Sequence, residues 1–318
     1  MKNFLETSLP VNAERCSASI RELKIVGRRG DERSSEGIYA HYRIERELAD
    51  RLRNAPSEAR QLLYAEVYDE LFKRVPEHPM LLAKASGDAL QRRQCDVANQ
   101  ISFLRRFIGP QTVFAEIGAG DCALALRMTE LSKLVYAIDV SEQIVQNVRH
   151  PGNFQLILSD GCSIPLPEAS VDVAFSDQLM EHLHPDDAHE QLNNIYRSLA
   201  PKGVYVCVTP NRLYGPRDIS CYFDDVATGF HLREYSARDM RQLLLHVGFY
   251  KVRFYIGARG WFLPCPYPLI ALVETVLETL PAGIRRHFSD IAPMRALLGL
   301  RVAAIKPATV RKPAKAAA

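Results

Sequence analysis

Between Tyr42 and Ile108, apolar residues recur every three or four positions. Ile44, Leu48 and Leu52 form one row, Leu63, Val67 and Leu71 a second, and Val97, Ile101 and Leu104 a third. That period gathers apolar side chains on one face of a helix. Pro56, Pro76, Pro79 and the pair Gly109–Pro110 divide the pattern into separate helices. Residues 1–37 show no clear period and finish in a polar cluster at 28–37. They are expected to be a loose N-terminal arm, with 38–109 a helical subdomain.

After Pro110 the pattern changes to short apolar runs alternating with helical ones. Strand-like runs stand at 112–117, 134–139, 154–158, 171–176, 203–209, 250–256 and 299–305, with helical runs near 121–132, 141–149, 186–198 and 236–247. Strands separated by helices of this length require crossover connections and a mostly parallel sheet covered on both faces. The expected fold is therefore α/β, a Rossmann-like seven-stranded mixed sheet over 110–305. About 40 residues, 257–298, lie between the last two strands, where a hairpin would need only a few. They hold Trp261, Phe262, Pro264, Pro266 and Tyr267, then Leu269, Leu272, Val273, Val276 and Leu277, and are expected to form a helical lid. These apolar residues either line an acceptor pocket, pack the lid on the sheet or build a homodimer seam.

In open parallel sheets, ligands bind beyond the carboxyl ends of the strands, so the residues there carry the chemical argument. The first strand runs into Glu116-Ile117-Gly118-Ala119-Gly120, a tight turn before a helix, where glycines let a ligand approach the backbone. The second ends in Asp139, the third in Asp160-Gly161, the fourth in Ser176-Asp177-Gln178, and the fifth in Thr209-Pro210-Asn211. Acids at four of five strand ends disfavour a phosphate-bearing ligand and suit one that presents a cation. Gly118-x-Gly120-x-x-Ala123 also satisfies a loose dinucleotide fingerprint, so an NAD(P)-dependent oxidoreductase is the alternative from the turn alone. Asp139 has a second reading as a helix cap shared with Ser141, and Asp160 as a turn residue.

Composition narrows the partners. A net charge of +3 over 318 residues, with no basic stripe, gives no ground for a nucleic-acid partner. Lys306, Arg311, Lys312 and Lys315 sit in an Ala- and Pro-rich segment, 306–318, expected to be a disordered basic tail. Seven scattered cysteines, none in a C-x-x-C pair, indicate free thiols. With no signal-peptide pattern at the N-terminus and no span of membrane length, a cytoplasmic protein without a transmembrane segment is expected.

The ordered set Glu116-x-Gly118-x-Gly120, Asp139, Asp160-Gly161 and Phe175-Ser176-Asp177-Gln178-Leu179-Met180-Glu181-His182-Leu183 resembles the class I S-adenosylmethionine-dependent methyltransferases. Leu199-Ala200-Pro201-Lys202-Gly203 and Tyr235-Ser236 through Gly248-Phe249 extend the resemblance over roughly 110–257. It implies a reversed final strand and S-adenosyl-L-methionine as cofactor. Glu116, Gly118 and Gly120 would then lie beside the methionine part, Asp139 on the ribose, Asp160-Gly161 at the adenine, and Ser176 to Gln178 on the methyl-transfer side. The expected activity is methyl transfer to a small-molecule acceptor, at an oxygen of a lipid, quinone, polyketide or sugar-type compound. The further alternative is a macromolecular (RNA or protein) methyltransferase.

Transfer to a hydroxyl needs a base, for which histidine is suited. His231, in Gly229-Phe230-His231-Leu232-Arg233-Glu234-Tyr235, is the first candidate, orienting its loop being the other reading. His182 is the second, with pocket shaping as its alternative. The ubiquinone-pathway O-methyltransferases, which this segment is similar to, carry a Glu and then Glu-His on a metal. Gln178 replaces the first acid here, so no metal is expected at Glu181 and His182.

Overall fold

The computed structural model describes residues 33–79, 81, 89–140, 150–258, 260–289 and 291–309. The arm over 1–32, the helix expected at 141–149 and the tail beyond 309 lie outside them. Among the described residues, three helices precede the sheet: α1 (Ser35–Asn54), α2 (Ser57–Arg74) and α3 (Ala89–Leu104). Ser34 caps α1 by accepting from the Gly37 N–H at 3.0 Å. Pro56, with its backbone extended, separates α1 from α2.

The sheet comprises β1 (Val113–Ile117), β2 (Leu134–Asp139), β3 (Phe154–Leu158), β4 (Val171–Asp177), β5 (Leu199–Thr209), β6 (Lys251–Ala258), β7 (Trp261–Cys265) and β8 (Leu300–Ile305). Its order is β3-β2-β1-β4-β5-β8-β6-β7. The first five strands run parallel, and β8 enters antiparallel between β5 and β6. The order reverses between β1 and β4, and that switch point opens the crevice at the carboxyl ends. α4 (Ala123–Met128), α5 (Pro185–Ser198) and α6 (Ala237–Val247) connect strands, and α7 (Tyr267–Glu278), α8 (Ala282–Ser289) and α9 (Ala292–Leu298) precede β8.

Eight strands stand where seven were expected. Residues 261–265 do not leave the sheet as part of the lid but turn back as β7 and pair with β6. The hairpin depends on Gly257, at φ +148°, where a Cβ would lie 1.9 Å from the Trp261 carbonyl oxygen. Only glycine allows that approach. Lys306, counted above with the tail, is buried. Its Nζ donates to the carbonyls of Tyr196 and Leu199, both at 2.7 Å.

The helices before the sheet divide between its faces. Leu48, Leu52, Tyr64, Val67 and Leu71 of α1 and α2 join one core with α5 and α6, and Val97, Phe103 and Leu104 of α3 join the other with α4. A buried ion pair fixes α2 to α5: Arg60 donates to both Asp187 oxygens at 2.7 and 2.6 Å, and the Tyr64 hydroxyl to Oδ2 at 2.7 Å. α7 is held by Glu274, whose Oε1 accepts from Asn211 Nδ2 and the Ala237 N–H. Among the described residues, no helix is long and apolar enough to cross a membrane.

Candidate active site

The turn after β1 is built as its glycines suggest. Gly118 and Gly120 have φ of +72° and +51°. The Gly118 N–H donates to the Ile138 carbonyl at 2.8 Å, tying the turn to β2. Gly120 donates to Asp139 Oδ2 at 2.7 Å, while Oδ1 accepts from the Val140 N–H at 2.8 Å. Asp139 thus shapes the turn through both of its carboxylate oxygens.

A cleft of about 600 Å³ opens beside this turn. Glu116, Gly118, Gly120 and Gln178 line it together, as the sequence reading grouped them. Glu116 is 4% exposed, and its Oε2 has no hydrogen-bond partner. Burial pushes its pKa up to about 8, against a downward pull from the Arg93 charge. Asp177 is raised in the same direction by burial, although Gln100 Nε2 donates to its Oδ2 at 2.6 Å. The two desolvated acids share one cleft, where a nearby positive charge would favour their ionised forms.

Other expected residues stand elsewhere. Ser176 points to the opposite face of the sheet, fully buried and 2.7 Å from the Tyr205 hydroxyl, so it does not line the cleft. The alternation of β4 is the reason: Phe175 and Asp177 take the cleft side. Asp160 and Gly161 also lie outside the cleft lining. Asp160 accepts from the backbone of Cys162 and Ser163 at 2.8 and 2.6 Å and from the Ser163 hydroxyl at 2.7 Å. Burial would raise its pKa, but these donors outweigh that and hold it low. Gly161 sits at φ +90°, its carbonyl accepting from Gln191 Nε2 at 2.6 Å.

The other wall of the cleft is α3, which contributes Arg93, Asp96, Asn99, Gln100 and Phe103, with Phe262 of β7 and Arg301 of β8 closing the far end. Sequence reasoning missed all but Phe262. A signal existed for α3: Arg93, Asp96, Gln100 and Phe103 repeat at helical spacing on the flank beside its apolar row. Arg301 carried none, since its place depends on where β8 inserts.

His182 and His231 line a second cavity, of about 350 Å³, with Tyr68, Phe230, His41, Glu45 and His78. His231 Nδ1 donates to Glu234 Oε1 at 2.7 Å. Burial lowers its pKa, but the Glu234 bond and the charges of Glu181, Glu234 and Asp218 reverse this and leave it above 6.5. His182 Nδ1 lies 3.0 Å from the Tyr68 hydroxyl and 3.1 Å from the Phe230 carbonyl. Burial drives its pKa down to about 3. Glu181, fully buried, accepts from Thr209 Oγ1 at 2.8 Å through Oε2, leaves Oε1 without a partner, and is pushed up to about 7 by burial. Glu181, His182 and His231 each offer a ligand atom within 4.8 Å of the others, as do His41, Glu45 and His78. Both ring nitrogens of His41 are engaged, by Arg33 at 2.8 Å and Glu45 at 2.9 Å.

Part of the chain is similar to known proteins. Residues 115–207 match a family described as a methyltransferase domain. A protein of Mycolicibacterium smegmatis, named "Probable S-adenosylmethionine-dependent methyltransferase", is 32% identical over 136 residues, covering 42% of this chain and 50% of its own length. One of Mycobacterium tuberculosis with the same description is 32% identical over 139 residues, 43% and 48% of the two lengths. The chain thus spans about half the length of the curated relatives it matches. Among solved structures, phosphoethanolamine N-methyltransferase 1 of Haemonchus contortus superposes with a TM-score of 0.51 at 16% identity, over 81% of this chain and 51% of that one, and shares the fold. Glycine turn, strand order and relatives point the same way: residues 115–207 match a methyltransferase domain, set in a fold shared with a solved methyltransferase.

Proposed function

We propose that this protein transfers the methyl group of S-adenosyl-L-methionine to an oxygen of a small-molecule acceptor. The observation that carries the reading is Glu116: a buried carboxylate with an unpartnered oxygen beside a glycine turn. That donor set fits a ligand with an ammonium and a sulfonium and opposes a pyrophosphate. Glu116 and Asp177 would hold the positive end, Gly118 and Gly120 would leave room for it, and Asp139 would accept from the ribose. Asp160 and Gly161 would act at the adenine through the turn they form, and Gln178 would border the transferring group. When bound, the cofactor supplies an electrophilic methyl group.

His231 is the proposed base. Glu234 holds its Nδ1, which leaves Nε2 to take a proton. His182, kept neutral by burial, shapes the same cavity. The exposed apolar residues Trp261, Leu263, Leu269, Leu272 and Val276 support an acceptor with an apolar body or, alternatively, a surface for a second copy. Calorimetry with S-adenosylhomocysteine and with NAD tests the reading: binding of the first alone is expected, and binding of NAD alone would refute it. A second reading, metal-assisted transfer, is favoured by the convergence of Glu181, His182 and His231.

A further inference from the structure

Arg301 brings a partly buried guanidinium to the cleft without a hydrogen-bond partner for its Nη1. It sits on β8 in register with Val208 of β5 and Tyr255 of β6, and Val208 is in turn in register with Asp177 of β4. One row of residues thus crosses the sheet at the mouth of the cleft. Its guanidinium lies against the Phe262 ring, 5.4 Å from the centroid, and its Nη1 is buried without a hydrogen-bond partner. Asp177 attracts it through charge but forms no ion pair with it; the Asp177 carboxylate accepts from Gln100 instead. Arg93, in the same cleft, forms a contrast: Asp121 accepts from it at 2.8 and 2.5 Å. Burying part of a guanidinium without an acceptor is costly. The backbone also makes room for this group, since a Cβ on Gly299 would lie 2.7 Å from Nη1.

We infer that Arg301 recognises an anionic group, carboxylate or phosphate, on the methyl acceptor. The inference rests on the methyltransferase reading and narrows its substrate class. A guanidinium presents a planar fork of donors that matches either anion. Phe103, Phe175 and Phe262 line the same cleft and give an apolar body a surface to pack on. The acceptor is therefore a small molecule with an apolar, ring-sized portion and one anionic substituent, and the anion faces the β8 end, away from Gly118 and Gly120. The cofactor's own carboxylate offers the same chemistry, so the test must separate the two sources.

Calorimetry on the full chain does this with phenyl phosphate and benzoate as probes, titrated into protein saturated with S-adenosylhomocysteine. At least one should bind the wild type, and Arg301→Gln should weaken it by about tenfold to a hundredfold while leaving S-adenosylhomocysteine affinity unchanged. Gly299→Ala, which displaces the guanidinium without removing it, should act in the same direction, so the test survives a poorly folding Arg301→Gln. Equal binding of the probes by wild type and both variants would overturn the inference, as would no probe binding at all. If Arg301→Gln weakens S-adenosylhomocysteine but not 5′-methylthioadenosine, which lacks the carboxylate, Arg301 serves the cofactor and the inference is wrong. Failure of the wild type to bind S-adenosylhomocysteine would refute the methyltransferase reading instead, and probe titrations on cofactor-free protein would still decide Arg301.

Discussion

Replacing Glu116 by Gln separates what this residue costs the fold from what it contributes to the site. Its carboxyl is raised by burial from an ordinary 4.5 to about 8. A group raised on folding stabilises fully below its unfolded value, and that contribution is lost as pH rises through the folded value. At pH 7 the folded protein keeps Glu116 protonated while the unfolded chain ionises it. Over the interval from 4.5 to 7, at about 1.4 kcal/mol per pH unit, the penalty is roughly 3.5 kcal/mol as an upper bound. Glutamine is isosteric and cannot ionise, so Glu116→Gln should stabilise the cofactor-free protein at pH 7–8 by about 1–3 kcal/mol, the lower figure allowing for an amide N–H left unpaired. At pH 5 the two proteins should differ little. Urea denaturation at pH 5, 7 and 8 measures this. The wild type also carries Glu181 and Asp177, raised in the same direction, so the difference between the proteins isolates Glu116. Affinity for S-adenosyl-L-methionine should move oppositely, with the variant weaker and the gap widening toward pH 8 as the wild-type carboxylate ionises on meeting a cation. Parallel pH–stability profiles for the two proteins would refute the burial argument. Unchanged cofactor affinity would refute the assignment of Glu116 to the positive end.

Four further outcomes are expected. Asp139→Ala removes the acceptor of the Gly120 and Val140 N–H groups and should weaken S-adenosylhomocysteine binding by about 1–3 kcal/mol, which calorimetry would detect. His231→Ala should lower kcat by about 10²–10⁴ with cofactor affinity intact. Because Glu234 helps to hold His231 above 6.5, Glu234→Gln should shift the acid limb of kcat/KM to lower pH, and an unmoved limb would count against His231 as base. Treatment with a chelator should leave turnover unchanged, whereas loss restored by a divalent cation would establish the metal-assisted reading at Glu181, His182 and His231.

Strand alternation and glycine spacing carried most of what was legible in advance. The run from Val113 to Gly120 encodes a strand, a turn and a helix locally, and the parallel core follows from repeating that grammar. Residues next to one another in sequence could not be assigned to a face without the sheet. Ser176 and Asp177 are adjacent, yet one bonds Tyr205 on the far side and the other lines the cleft. By its charge alone Glu274 would be placed on the solvent side of α7. It is instead the inward residue that bonds Asn211 and Ala237, while Leu269, Leu272 and Val276 face outward.

By itself the sequence determined the α/β class, the order of its first five strands' landmarks and the glycine turn after the first. These depend on contacts within a few residues, where periodicity and backbone freedom act directly. Only the tertiary structure decided that α3 walls the cleft, that 261–265 returns as an edge strand, and that Arg301 arrives in register with Val208 opposite Asp177. Those placements depend on which distant segments bury the same surface. Sequence spacing does not encode that choice, whereas packing and sheet register fix it.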